Sequence, residues 1–217
     1  MNFKLVFKLA GKTLLVAAAC MVLPLLVTLL YREDPMPFLS AMGITALAGL
    51  LLSLLRADTR FNSREGFFSA GLIWLLVGFF GALPFQFSGY FPSFVDCLFE
   101  SISGFTTTGA SILTAVEPLP KGILFWRSFI HWLGGMGILV LTIALLPSLG
   151  ARTLHVMKAE SPGPIISKLV PKSSQSSKIL YGIYLVLTVL VILALRAAGM
   201  DWFDSVTHAF ATAGTGG

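Results

Sequence analysis

The chain has 217 residues, 56% of them hydrophobic and only 12% charged, and its mean hydropathy is +0.87. That balance excludes an ordinary soluble enzyme or binding module and marks an integral membrane protein. The formal charge of +5 does not argue for nucleic acid, because the basic residues sit between apolar runs, where they act as topology signals against an anionic inner leaflet.

At the N-terminus, Lys4, Lys8 and Lys12 precede an apolar run, and "AAAC" imitates a lipoprotein-like cleavage site. The run continues to Leu30 and further spans follow, so it reads as a first transmembrane helix. A helix needs roughly 20 apolar residues to cross about 30 Å of hydrocarbon. Five segments meet that need: 5–30, 37–55, 67–87, 122–147 and 178–198. The links "YREDPMP", "RADTRFNSRE" and the long, Pro- and Ser-rich stretch from Gly150 to Lys178 are polar, and the last reads as a cytoplasmic connector. Cys20 and Cys97 lie in or beside apolar stretches without CxxC spacing, which points to buried free thiols rather than a metal site or disulfide framework.

Charge gives the orientation. With the N-terminus in the cytoplasm, Lys4, Lys8, Lys12, Arg56, Arg60, Arg64, Arg152, Lys158, Lys168, Lys172 and Lys178 all fall inside. Only Arg32, Lys121, Arg127 and Arg196 fall toward the outside. This satisfies the positive-inside rule, and the reverse orientation violates it. Glu33, Asp34, Asp96, Glu100, Glu117, Asp201 and Asp204 then lie on the outer side, either as solvated loop acids or as a device that concentrates cations.

Two further apolar segments are too short to span. "FPSFVDCLFESISGFTTTGAS" follows the third span and "DWFDSVTHAFATAGTGG" follows the fifth, each with about 11 apolar-segment residues, enough for a re-entrant half-helix. Aligned without gaps, Asp96 falls on Asp204, Thr107 on Thr215 and Gly109 on Gly217, each pair 108 positions apart. Ser93 and Asp201 are N-cap residue types, and each has an acid three residues later, as in a capping box. The expected fold is an all-α polytopic membrane protein. Residues 1–65 form a two-helix prelude. Residues 66–150 form a first pore repeat: helix 67–87, pore helix 94–104, filter 105–110 and helix 122–147. Residues 151–177 connect it to a second repeat, 178–217, with helix 178–198, pore helix 202–212 and filter 213–217. A chain ending directly after a half-helix loop is expected to be part of something larger.

Nonhelical backbone at membrane depth is tolerated where it is buried in protein or lines a watery cavity. Loops of this kind can replace the hydration shell of a cation with carbonyl oxygens. Aligning successive carbonyls requires some residues at positive φ, the expected task of Gly109, Gly216 and Gly217. Threonine adds hydroxyl oxygens suited to a hard cation without a trapping charge. Half-helices whose C-termini face the loops add partial negative charge there.

The order of "GALPF", "FESISGFTTTGAS", "HWLGGMGILVL" and "THAFATAGTGG" resembles the Trk, Ktr and HKT superfamily of potassium transporters, nearest the bacterial TrkH type. The resemblance covers essentially the whole chain. It implies four helix, pore-helix, filter-loop, helix repeats related to potassium channels around one ion pathway, with about one and a half of them here, preceded by the extra helix pair of the TrkH branch. It implies potassium as the transported ion, held by Thr107, Thr108, Gly109, Thr215, Gly216 and Gly217, and no organic cofactor in this chain. It further implies a multi-pass protein of the bacterial inner membrane, a homodimer, and a cytosolic TrkA-type nucleotide-binding regulatory subunit. Glycine at the filter favours potassium over sodium; a less selective potassium/sodium transporter or symporter is the alternative, and channel-like flux and symport both stay open.

Other residues carry competing readings. Glu100 is either an electrostatic aid to ions or an acid bonded to neighbouring backbone. Arg127 either snorkels or pairs with Asp96, Glu100 or Glu117. His131 and Trp132 read as an interfacial anchor before the "GGMG" packing glycines, and His208 as a local hydrogen-bonding residue. A membrane enzyme finds no support, since no HExxH, Walker or nucleophile-elbow pattern occurs, and a noncatalytic scaffold would not need the paired Thr/Gly loops.

Overall fold

The computed structural model describes residues 3–55, 63–145 and 173–216, and all regular secondary structure among them is helical. Most of the expected connector 151–177, with Arg152, Lys158, Lys168 and Lys172, lies outside the described residues, as do Arg56, Arg60 and Gly217. Among the described residues, four segments are long and apolar enough to cross a membrane: Phe3–Leu30, Met36–Ser53, Phe68–Ser88 and Ile179–Ala197. The protein is therefore multi-pass.

The first apolar run is not one straight rod. It divides into α1 (Phe3–Cys20) and α2 (Val22–Leu30), and the cause lies at Pro24. Proline has no N–H for the Cys20 carbonyl and its ring crowds that oxygen, so the regular helix is interrupted at Met21, whose N–H is shared between the Ala17 and Ala18 oxygens at 3.2 Å each. The same device recurs after α3 (Met36–Ser53). Pro84 interrupts the next run at Ala82, giving α4 (Ser63–Gly81) and the short α5 (Leu83–Ser88), which Gly89 closes at φ 73°. Both expected rods, 5–30 and 67–87, are thus interrupted where hydropathy alone sees continuity.

α6 (Phe94–Phe105) and, later, α9 (Trp202–Ala213) have 12 residues each, about 18 Å of helix, too short to span. α7 (Lys121–Leu145) and α8 (Ser173–Ala197) have 25 each. The fifth expected span began at residue 178, but α8 starts at Ser173. Apolar content marks the part within hydrocarbon, whereas backbone hydrogen bonding continues into the polar flank.

Small residues set the packing distances. α1 and α3 touch at Gly11 and Gly49: a Cβ on Gly11 would lie 2.7 Å from the Gly49 carbonyl oxygen, and one on Gly49 would lie 2.9 Å from that of Gly11. α6 sits between α4 and α7, with Gly78 against Ile102, Gly81 against Ser101 and Phe105, and Gly134 against the Phe105 carbonyl. The core is aromatic. Trp126 is fully buried, its indole N–H donates to the Gly81 carbonyl at 3.0 Å where α4 ends, and its ring meets Phe38 and Phe105 edge-on. On the other side of α7, Phe210 of α9 packs on Phe125, Phe129 and Trp132 with ring centroids 5.3 to 5.7 Å apart. α7 is the post against which both short helices lean.

Glu33, expected among the outer acids, has a definite task. Its carboxylate accepts the N–H groups of Lys121 at 2.6 Å and Gly122 at 3.0 Å, capping the start of α7 from a residue 88 positions earlier. Glu33→Ala is expected to lower the stability of the full-length protein by about 1–2 kcal/mol, with a smaller loss for Glu33→Gln. Thermal unfolding of the detergent-purified chain measures this, and an unchanged midpoint for Glu33→Ala would remove the cap from the account.

Candidate ion-filter site

The two short helices begin alike. Ser93 Oγ accepts the Asp96 N–H at 3.2 Å and Asp201 Oδ1 accepts the Asp204 N–H at 2.7 Å, the N-cap bonds anticipated from the sequence. They also end alike, in a way the sequence did not announce. After α6, the N–H of Thr107 bonds the Gly104 carbonyl at 3.0 Å and that of Thr108 bonds the Ser103 carbonyl at 2.9 Å. After α9, Thr215 bonds Thr212 at 3.0 Å and Gly216 bonds Ala211 at 2.8 Å. Both are Schellman motifs, which need a left-handed residue just past the cap.

That position normally holds glycine; here it holds threonine twice, Thr107 at φ 56° and Thr215 at φ 58°. A β-branched residue in the left-handed region is a genuine outlier costing about 1–3 kcal/mol, retained only where the surroundings over-determine it. Sequence reasoning assigned positive φ to Gly109, Gly216 and Gly217. Gly109 is left-handed at φ 75°, Gly216 is not among the positive-φ residues, and Gly217 lies outside the described residues. The correction has a physical reason. Each helix end demands its turn at the residue just past the cap, Thr107 or Thr215, and Gly216 is needed for space rather than for φ.

That space lies between the two loops. A Cβ on Gly109 would collide with the Gly216 carbonyl oxygen and lie 2.9 Å from its carbon. A Cβ on Gly216 would collide with the His131 ring, 2.8 Å from Nε2. Residues 107 positions apart, one from each loop, are thereby in contact. Among the described residues, no hydrogen bond is accepted by the carbonyls of Thr106, Thr107, Thr108, Gly109 or Thr215, and the hydroxyls of Thr107 and Thr215 have no partner. Thr108 Oγ1 is 2.8 Å from Thr106 Oγ1, which itself bonds the Ile102 carbonyl at 2.7 Å. The loops thus present a set of unengaged oxygens beside two helix C-termini, where the backbone dipoles leave partial negative charge.

Behind the first loop stands Glu100, 1% exposed. Its Oε1 accepts Ser111 Oγ at 2.5 Å and the Ile112 N–H at 2.8 Å, and its Oε2 accepts Arg127 Nε at 3.0 Å. Of the readings open for Glu100 and Arg127, the structure selects backbone bonding and mutual pairing: the acid ties the chain leaving the loop to α7. His131 and Trp132 both engage neighbouring helices. His131 is 4% exposed, with Nδ1 2.9 Å from the Arg127 carbonyl, while Trp132 stacks on Phe129 and donates its indole N–H to Thr188 at 3.0 Å. His131 is drawn inward because Gly214 and Gly216 leave room for it, while Gly134 and Gly135 let Phe105 of α6 and Tyr184 of α8 approach the same stretch of α7. His208 is exposed and bonds the Asp204 carbonyl locally at 2.9 Å, as its pattern suggested.

Paired half-helices with glycine-threonine loops, leaning on one long helix of a multi-pass protein, define the pore-loop class of membrane proteins. A family profile described as TrkH, cation transport protein, matches residues 36–217, and the chain belongs to that family. It is 41% identical over 222 residues to the Trk system potassium uptake protein TrkH of Halomonas elongata, covering all of this chain and 46% of that protein. The protein of the same name from Escherichia coli is also 41% identical, over 225 residues, with the same coverage. The crystal structure of the potassium transporter TrkH from Vibrio parahaemolyticus superposes with a TM-score of 0.82 at 36% identity, over 97% of this chain and 42% of that one. The chain spans less than half the length of the relatives it matches.

Removing one member of the Glu100–Arg127 pair leaves the other charge buried and uncompensated. Arg127→Met in the full-length protein is expected to cost about 3–5 kcal/mol, and Glu100→Gln combined with Arg127→Met to recover most of it. A double-mutant cycle on thermal unfolding checks the pair; strictly additive losses would contradict it.

Proposed function

We propose that this chain contributes two of the filter loops of a potassium-uptake pore in the bacterial inner membrane, with its N-terminus in the cytoplasm. The observation that carries the reading is the meeting of Gly109 with Gly216 at the ends of two half-helices terminated in the same way. Thr107, Thr108 and Gly109 from one loop, with Thr215, Gly216 and Gly217 from the other, supply carbonyl and hydroxyl oxygens that replace part of the ion's hydration shell. Two helix C-termini favour a cation there without a fixed charge to trap it. The left-handed threonines turn the chain sharply out of each helix, which frees the next carbonyls from helical bonding. The membrane potential supplies about 2.3 kcal/mol per charge per 100 mV for inward movement.

The names of the relatives support potassium as the ion and a Trk system as the setting. By that analogy the protein works as a homodimer with a cytosolic TrkA-type nucleotide-binding regulatory subunit. The basic residues of the connector and of the N-terminal helix support the orientation.

The test is rubidium uptake by the full-length protein in a bacterial cell lacking its own potassium transporters. The wild type is expected to restore uptake with preference for rubidium over sodium. Gly109→Ser, whose side chain meets the Gly216 carbonyl, is expected to lower that preference about tenfold, equivalent to about 1.4 kcal/mol of discrimination. An unchanged ratio in normally expressed Gly109→Ser would sink the filter assignment.

A further inference from the structure

His131 is the one residue beside the loops with a buried polar atom that has no hydrogen-bond partner among the described residues while facing a loop. Its Nδ1 meets the Arg127 carbonyl at 2.9 Å, and a carbonyl can only accept, so Nδ1 carries the proton. In the neutral ring, Nε2 is then left with a lone pair. That atom is buried without a partner. Leaving such an atom unpaired costs roughly 1–3 kcal/mol, so its placement calls for an explanation beyond packing.

The explanation lies in what the ring touches. The edge carrying Cδ2 and Nε2 is pressed against Gly216, so closely that a methyl group there would overlap it, and the carbonyl group of Gly216 lies against Gly109 of the first loop. Gly216 is therefore clasped between the first loop and the imidazole. The ring is itself fixed. Its Nδ1 is held by the carbonyl of Arg127, one helical turn earlier, and the Arg127 side chain is held by Glu100, which binds Ser111 and Ile112 as the chain leaves the first loop. A continuous path runs from the exit of loop one, through Glu100, Arg127 and His131, to Gly216 of loop two.

We propose that His131 is a positioning residue that sets the spacing between the two filter loops, passing to Gly216 the register that Glu100 and Arg127 fix from the first loop. The proposal rests on the filter reading of these loops and adds the element that makes them act together. A filter discriminates between cations through the number and distance of its oxygens. A ring edge that moves away from Gly216 lets loop two retreat from Gly109, which widens the site and favours neither ion.

The experiment measures rubidium and sodium uptake by the full-length protein reconstituted in vesicles of defined phospholipid. Asn at 131 can reproduce the Nδ1 bond to Arg127 but stops short of Gly216; Gln can place its amide where Nε2 lies. His131→Asn is expected to lower the rubidium to sodium ratio about tenfold, and His131→Gln to keep the larger part of it. A purely structural role for the Arg127 bond predicts the opposite order, with Asn the better substitute, and that order overturns the proposal. Combining Glu100→Gln with His131→Asn is expected to lower the ratio no further than the worse single change, because both act along one path; multiplicative losses count against it. Gly216→Ala approaches the same contact from the loop and does not depend on the His131 variants folding. It is expected to lower the ratio, and a wild-type ratio there overturns the clasp. Loss of rubidium selectivity in the unmodified protein would instead bring down the filter reading itself, and this inference with it. A selective wild type whose His131 variants all remain equally selective refutes the inference alone.

Discussion

A helix too short to cross a membrane leaves its last carbonyls without partners inside the helix, and everything in this protein follows from how those ends are closed. The Schellman bonds after α6 and α9 engage the carbonyls of Ser103 and Gly104, and of Ala211 and Thr212. In doing so they force the chain through a left-handed residue and out of the helix, and the carbonyls that follow are left unengaged. Satisfying one set of oxygens is what frees the next.

The left-handed residue is threonine in both copies, at a cost glycine would avoid. The surroundings hold it there. Glycines on α4 and α7 let α6 approach closely, Ser103 Oγ bonds the Ala110 carbonyl at 2.6 Å beyond the turn, and Glu100 grips Ser111 and Ile112. α9 has its counterpart in the aromatic wall of Phe125, Phe129 and Trp132 and in the backbone of His131 against Gly214. α7 serves both sides, so its own start matters, and Glu33 caps it from the N-terminal helix pair. The prelude helices are thus tied to the loops through one carboxylate and the post it steadies.

The all-helical, multi-pass architecture was legible because hydrophobic run length is a strong signal, and the half-helices because their N-caps and lengths are written locally in Ser93, Asp201 and the acids after them. The interruptions at Met21 and Ala82 were also written, in Pro24 and Pro84, but a hydropathy window averages across them. The helix ends were misjudged for a different reason. Residue preference assigns left-handed turns to glycine, and nothing in the spelling of "TTTGAS" says that a threonine takes that role, since the demand comes from tertiary packing around the turn. The pairing of Glu100 with Arg127 could be named only among alternatives, because 27 positions of sequence separate them. The inward placement of His131 depends on glycines 83 and 85 positions further on. A close look at "RSFIHWLGG" offers one clue, an Arg and a His one helical turn apart just before a glycine pair, which places two polar groups on the face that the glycines open.

The account stands on the claim that the oxygens of Thr107 to Gly109 and Thr215 to Gly217 share one cation. The most direct measurement is anomalous diffraction from crystals of the full-length protein grown with rubidium or thallium in place of potassium. The account predicts anomalous density between the two loops, within bonding distance of their carbonyls. Ions bound elsewhere along the pathway, with these loops bare, would contradict it.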